Sequence, residues 1–420
     1  ASCLVGSEMC IRDSYNIDPW ECPLEELEKN INNLQTLSDF WDSMQLGSKL
    51  ILNSSYGACA SKWFFMHNVD VAEAITLQGQ DLNHYSEDTI NKYINEQFVK
   101  DVAQGKFDEY NASVEKCKFI KATASHGLPT AAVGGDTDSI YVTFDPIIKH
   151  INVPKDKAVH FCVDVTNKGL GPYLDSSYDE YAKRYNCDKN YQAFELEKIA
   201  RTCLYYAKKK YSMEVCWEEP NIFLTPMSHV IYKGLEVVQG STPKYARECQ
   251  IDFIKFVHKC FYETEKKPSY SDCIAKIKEY KTKFMLQDPN DICKGQNIGD
   301  YEKFIVNDKP QNGAFEYKLH CPIHVKAAGL GNYMLFKNKK FLSKYSILKT
   351  SSKCKFYYTT DPVVEVFGFE PGKFPAEYAP GVDYEIQFQK VILDPLNRLI
   401  SDVLGYQPLN PALTFTNALF

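Results

Sequence analysis

Near the start of the interpretable pattern, Leu24, Leu27, Ile31 and Leu34 recur at intervals of three and four residues, the spacing of one helical face. A second apolar run continues through Trp41 and Met44 to Leu52, and the two together predict a pair of helices in a hairpin. A third helical stretch runs from Val71 to Phe98. The polar, lysine-bearing segment that follows to Pro129 reads as an insertion or long loop. The period then changes. In Ala131 to Phe144 an apolar lead enters Gly134 and Gly135, the string Asp136-Thr137-Asp138-Ser139 follows, and Ile140, Val142 and Phe144 alternate with Tyr141 and Thr143. That pattern predicts a β-hairpin with acidic residues at its tip.

Residues 155–187 return to a helical period, whereas 192–238 carry the β-branched and aromatic clusters of further sheet. Tyr245 to Met285 is helical and lysine-rich, and the last hundred residues mix short strands with a helix near Ile386 to Leu404. Helices and strands in this order predict an α+β fold. At 420 residues the chain is too long for one compact core, so two or three packed units are expected.

Composition narrows the class. No apolar run approaches the roughly 18 to 20 residues that span a bilayer, which argues against a membrane protein. Fifteen cysteines are scattered singly with no C-x-x-C pair, a pattern of reduced thiols rather than of a disulfide framework. The net charge of -6 excludes a wholly basic coat but leaves room for a local basic groove.

Lys49, Asn53 and Tyr56 are four and three residues apart, so in a helix they share one face, and a lysine beside an amide suits a phosphate. Taken alone, such a stripe is more often a solvated polar face, and an Asp136/Asp138 turn is more often a solvated turn. Together they supply what phosphoryl transfer requires: a cation for the triphosphate and carboxylates for Mg2+. Lys208, Lys209 and Lys210 precede Tyr211 in a predicted strand, either as an edge protected by lysines or as a contact to a duplex backbone.

These residues carry a resemblance. KLILNSSYG (Lys49 to Gly57) resembles the K-x-x-x-N-S-x-Y-G fingers motif of family B DNA polymerases, and GDTDSIYV (Gly135 to Val142) resembles their D-T-D-S palm motif. ELEKIARTCLYYAKKKY is similar to their acidic residue followed eleven positions later by K-K-R-Y, with Glu197 and Lys208 in register and Lys210 in place of the usual arginine. Gly134 occupies a place often aromatic. VAEAIT from Val71, GLEVVQGSTP from Gly234, CPIHVKAA from Cys321 and VDYEIQF from Val382 extend the similarity toward the replicative polymerases of T-even-type bacteriophages.

The resemblance implies a right-hand fold with a partial palm sheet and its helices, helical fingers, and a mixed, mostly helical thumb. It divides the chain into fingers at 15–57, palm at 58–235, thumb at 236–405 and a tail at 406–420. It implies that Lys49, Asn53, Tyr56 and Gly57 bind the incoming dNTP, with Lys49 on the triphosphate and Tyr56 beside the nascent base pair. Asp138 matches the catalytic metal ligand and Asp136 the companion aspartate near the primer end. Glu197 is implied as a supporting carboxylate, and Lys208, Lys209, Lys210 and Tyr211 as contacts to primer-template DNA. Phe415, Leu419 and Phe420 resemble a peptide that docks on a sliding clamp, although their spacing is one residue longer than the commonest form. The setting would be the cytoplasm of an infected bacterial host.

Two Mg2+ ions in this family are shared with a second palm aspartate from an upstream D-x-x-S-L-Y-P-type motif, and nothing resembling that motif occurs here. Leu4 to Ser14 (LVGSEMCIRDS) resembles a translated sequencing adapter, so residues 1–14 are expected to be an artefact and the natural sequence to begin near Tyr15. The expectation is an N-terminally truncated polymerase, inactive alone and lacking its partner, the missing N-terminal part. The alternatives are one half of a naturally split polymerase, or a non-catalytic DNA- and clamp-binding subunit.

Overall fold

The computed structural model describes residues 23–117, 131–136, 139–219 and 221–410, with the side chain of Asp136 excepted. The fold is α+β. It divides into two compact units, residues 1–199 with 216–223 and residues 200–215 with 224–420.

The first unit opens with α1 (Leu24–Cys59), a single helix of 36 residues where the apolar pattern predicted a hairpin of two. The chain stays helical because nothing between Leu34 and Trp41 breaks it: there is no proline and no glycine. Thr36, Ser43, Ser48, Ser54 and Ser55 each donate a hydroxyl to the carbonyl four residues earlier, and Gln35 donates to Asp39. At 1.5 Å per residue the helix is about 54 Å long. Asn30 is its one fully buried residue.

A turn leads to α2 (Val69–Lys92), capped by Asn68, whose side chain accepts from the Val71 amide at 3.1 Å. The helix runs on through a π turn (Tyr93–Gln97) into α3 (Phe98–Ala103), longer than the sequence predicted. After the short α4 (Val114–Cys117) come the strands β1 (Ala132–Asp136) and β2 (Ser139–Val142). Then follow α5 (Asp145–Ile151), α6 (Ala158–Val165), a second π turn (Thr166–Leu170) and α7 (Gly171–Arg184). The predicted helical span 155–187 is therefore present.

The two π turns meet. Tyr93 Oη donates to Asp101 at 3.1 Å, and a Cβ on Gly169 would overlap that hydroxyl. Asp101 is buried yet fully engaged, accepting also from Gln97 at 3.1 Å and Lys106 at 3.0 Å. Around it Phe98, Phe107, Phe161 and Tyr178 fill the core. A polar seam joins α2 to α7, where Asp81 accepts from Tyr181 at 2.8 Å and from Tyr185 at 2.7 Å.

Strands β3 (Lys198–Ala207) and β4 (Lys210–Glu218) are shared between the units, and β5 (Asn221–Ile222) and β6 (Val230–Lys233) both pair with β4. This is the sheet expected over 192–238. In the second unit α8 (Lys244–Thr264) and α9 (Tyr270–Phe284) form the predicted lysine-rich helical region, and Ser269 closes a reciprocal capping box with Asp272. A short α10 (Pro289–Ile292) leads to β7 (Lys294–Asn297), α11 (Tyr301–Phe304), β8 (Ile305–Asn307) and β9 (Glu316–Tyr317).

Helix α12 (Ile323–Lys337) was not anticipated. It lies against β10 (Lys353–Tyr358) and β11 (Val366–Phe369), which with β7 make a three-stranded sheet in the order β11-β10-β7. Small residues permit the approach: a Cβ on Gly331 would overlap the Gly368 carbonyl, and one on Gly368 would lie 2.7 Å from Ala327. The chain then continues through α13 (Tyr384–Phe388), a π turn, α14 (Asp394–Arg398) and a last π turn (Leu399–Val403), matching the helix expected near Ile386 to Leu404.

Candidate functional site

The acidic hairpin forms as the alternation predicted. β1 and β2 are antiparallel, with Gly134 opposite Tyr141, Gly135 opposite Ile140 and Asp136 opposite Ser139. Only Thr137 and Asp138 separate the strands, and both lie outside the described residues, as does the side chain of Asp136. Asp136 is thus placed by its backbone as the last residue of β1. Two anchors hold the hairpin. Ile140, Val142 and Phe144 pack on the core of the first unit, and Asn91 on α2 accepts the Ala131 amide at 2.6 Å. Asn91 was not anticipated, because a lone asparagine on a helix carries no signal until its partner strand is known.

Lys49, Asn53, Tyr56 and Gly57 all lie on α1 and all are exposed. At about 100° per residue the first three fall within roughly 60° of one another around the axis, so the predicted common face exists. Gly57 has open space where a side chain would be. α2 packs against α1 and also against β1 and β2, so one helix supports both the basic face and the acidic hairpin.

Glu197, exposed, immediately precedes β3 in the first unit. Lys208 to Tyr211 lie in the second unit, and here the structure corrects the predicted strand: Lys208 and Lys209 form the two-residue turn between β3 and β4, while Lys210 and Tyr211 open β4. The reason is backbone geometry. Lys209 takes a left-handed φ of 63°, which reverses the chain, and its carbonyl rests against Gly234 at φ 64°. Three exposed ammonium groups follow one another on this turn, beside Tyr211, whose ring lies 5.8 Å from that of Tyr205.

Behind the turn sits His258 of α8, fully buried, which sequence reasoning passed over. Its Nδ1 lies 2.6 Å from Thr202 Oγ1 on β3 and its Nε2 2.9 Å from Ser212 Oγ on β4. Burial holds its pKa down at about 4, so the ring is neutral and bridges the strands that carry the lysines. One step along, buried Glu214 accepts from Arg201 at 2.7 Å and from the Met227 amide at 3.0 Å, and burial pushes its carboxyl pKa upward.

Phe415, Leu419 and Phe420 lie outside the described residues, as do residues 1–22, which include the adapter-like segment. No helix among the described residues is long and apolar enough to cross a membrane.

Residues 25–156 match the sequence profile of DNA polymerase family B. The chain is 26% identical over 318 residues to a DNA-directed DNA polymerase of Enterobacteria phage T4, a match covering 73% of this chain and 30% of the relative. It is 27% identical over 223 residues to a DNA-directed DNA polymerase of Escherichia phage RB69, covering 50% of this chain and 22% of that one. DNA polymerase 1 of Aeropyrum pernix is 22% identical over 291 residues, covering 69% and 22%. The matches thus span less than a third of the length of each of these relatives.

Proposed function

The chain is related over part of its length to the family B DNA polymerases of T-even-type phages, and we propose that it is the fingers-tip, palm and thumb portion of a DNA-directed DNA polymerase acting in phage replication, in the cytoplasm of an infected bacterium. The observation that carries this reading is the β1–β2 hairpin, which closes on Asp136-Thr137-Asp138-Ser139 within the same unit as the Lys49–Asn53–Tyr56 face.

In this reading Lys49 and Asn53 bind the triphosphate of a dNTP, and Tyr56 with Gly57 at the helix end leaves room for the nascent base pair. Lys208, Lys209 and Lys210 hold the primer-template backbone by charge without reading sequence, which requires their exposure and the rigid turn beneath them. Glu197 acts as a nearby supporting carboxylate, and the Phe415–Leu419–Phe420 tail docks on a sliding clamp.

Carboxylate oxygens are hard donors of the kind that Mg2+ takes. Asp138, with Asp136 near it, would hold the ion. Among the described residues no group of three or more His, Cys, Asp or Glu side chains gathers to hold a metal. In this reading the second palm aspartate lies outside this chain. What Mg2+ supplies when bound is a lower pKa for the primer 3′-hydroxyl and a counter-charge for the leaving pyrophosphate.

Phe40, Trp41, Met44, Leu50 and Ile51 are each half exposed or more, an apolar surface that a soluble helix ordinarily covers. The same surface favours a second reading, in which the missing part is a separate chain and this protein is half of a split polymerase.

Primer extension tests both. The chain alone is expected to bind primer-template in a salt-sensitive manner and to extend nothing. Supplying the segment encoded upstream, fused or co-expressed, is expected to give Mg2+-dependent extension that D138N abolishes. Absence of primer-template binding would remove the proposal, and extension by the chain alone would remove the shared-site account.

A further inference from the structure

A cavity of about 160 Å³ opens in the second unit beside the basic turn. Leu235, Val237, Ile254, Leu396 and Leu399, all buried, form its apolar walls. They come from the segment after β6, from α8, and from α14 with the π turn that follows it. Apolar space of this size takes a single six-membered ring. Ala207, Lys210 and Gly234 complete the wall on the side of the turn.

Two buried polar atoms belong to residues that line the same space. Gln250 is 3% exposed; its Nε2 donates to the Val391 carbonyl at 3.1 Å, and its Oε1 makes no hydrogen bond with a described residue. Tyr206 Oη is buried and likewise has no partner among the described residues. Burial pushes the phenol pKa upward, so the group stays a neutral hydroxyl that can donate. An acceptor and a hydroxyl left unpaired among apolar side chains cost stability until something bonds to them. Apolar walls with a few polar groups among them are the usual form of a small-molecule site.

Charge at the mouth selects neither sign. Arg398 pairs with Glu236 at 2.8 Å, and the cation of Lys210 is offset by Asp402, which accepts from Ser401 Oγ at 2.7 Å. The occupant that fits is neutral, of one ring, with an N–H for Gln250 Oε1 next to a carbonyl for Tyr206 Oη. The edge of a cyclic lactam supplies both, and uracil and thymine are six-membered rings that carry it.

We propose that this cavity binds a neutral pyrimidine lactam, of the uracil or thymine class, between α8, α14 and the basic turn. The Lys49–Tyr56 face lies in the other unit, so this is a different site, and the inference does not depend on the polymerase reading.

The test uses the 420-residue chain and uridine, with binding followed by calorimetry. Uridine is expected to saturate a single site with a Kd of roughly 1 mM or below. 3-Methyluridine, which lacks the N–H, should bind the wild type about tenfold more weakly. Y206F, which lacks the hydroxyl, should weaken uridine by about the same factor. Its melting temperature should hold, because that hydroxyl bonds to no described residue. A207W, at an exposed position on the wall, puts an indole into the cavity and should abolish binding. K49A/Y56A should leave it unchanged. Absence of saturable uridine binding refutes the site. Equal affinity for uridine, 3-methyluridine and phenol would show an unselective apolar hole and also refute it. Binding that survives A207W but is lost in K49A/Y56A would belong to the α1 face, which overturns this inference and leaves the polymerase reading standing.

Discussion

Gly234 lies directly against the carbonyl of Lys209, and both residues hold a left-handed backbone, with φ of 64° and 63°. The contact joins the end of β6 to the turn that carries Lys208 and Lys209, so the shape of the basic turn depends on a residue 25 positions away in the sequence. G234A would meet the Lys209 oxygen and would also be strained at positive φ. The expected result is a loss of roughly 1–3 kcal/mol in urea unfolding, together with weaker duplex binding. Binding that stayed at the wild-type level would mean that the turn tolerates displacement.

Neutralising the turn itself should act differently. K208A/K209A/K210A is expected to flatten the salt dependence of DNA binding by about 2 to 3, evenly across sequences. A sequence-dependent loss in a panel of duplexes would argue against pure backbone contact.

His258 makes stability depend on pH. Its folded pKa of about 4 lies below the usual value near 6.5, so between these limits the unfolded chain binds the extra proton. The stabilisation is fully present above pH 6.5 and is lost as pH falls toward 4, by up to roughly 3 kcal/mol. Urea midpoints measured from pH 7 to pH 4.5 should fall more steeply for the wild type than for H258Q, which keeps hydrogen bonding but does not titrate. Parallel curves would remove His258 as the source.

Arg201 and Glu214 form an ion pair in which the carboxylate is fully buried. R201M leaves that charge without its cation and is expected to destabilise by about 3–5 kcal/mol. R201M/E214M, which removes both charges, should recover much of the loss. A double variant no more stable than R201M would show that shape, not charge, sets the cost.

At Gly169 the added methyl of G169A meets the Tyr93 hydroxyl where the two π turns touch, with Asp101 3.2 Å away. Overpacking of this kind should cost about 1–3 kcal/mol. G169A/Y93F, which removes the hydroxyl, is expected to be less destabilised in thermal melts than G169A alone.

Much of this protein is legible in the order of its residues. The acidic hairpin follows from alternation around Asp136-Thr137-Asp138-Ser139, and the common face of Lys49, Asn53 and Tyr56 follows from the helical repeat alone. The α+β class and the helices over 155–187, 245–285 and near Ile386 to Leu404 follow from the same periodicities, because local propensity and burial agree there.

The tertiary structure decided what periodicity cannot express. It joined two apolar runs into the single helix α1, with no proline or glycine between them to end it. It turned Lys208 and Lys209 from strand into turn, because Gly234 could receive a carbonyl that any side chain would repel. It placed Asn91 under Ala131 and His258 between Thr202 and Ser212, pairings 40 to 56 residues apart that no local pattern encodes. Sequence carries the chemistry that each residue can perform and the period on which it repeats; which groups meet is fixed only when distant segments are packed together and buried polar atoms must find partners.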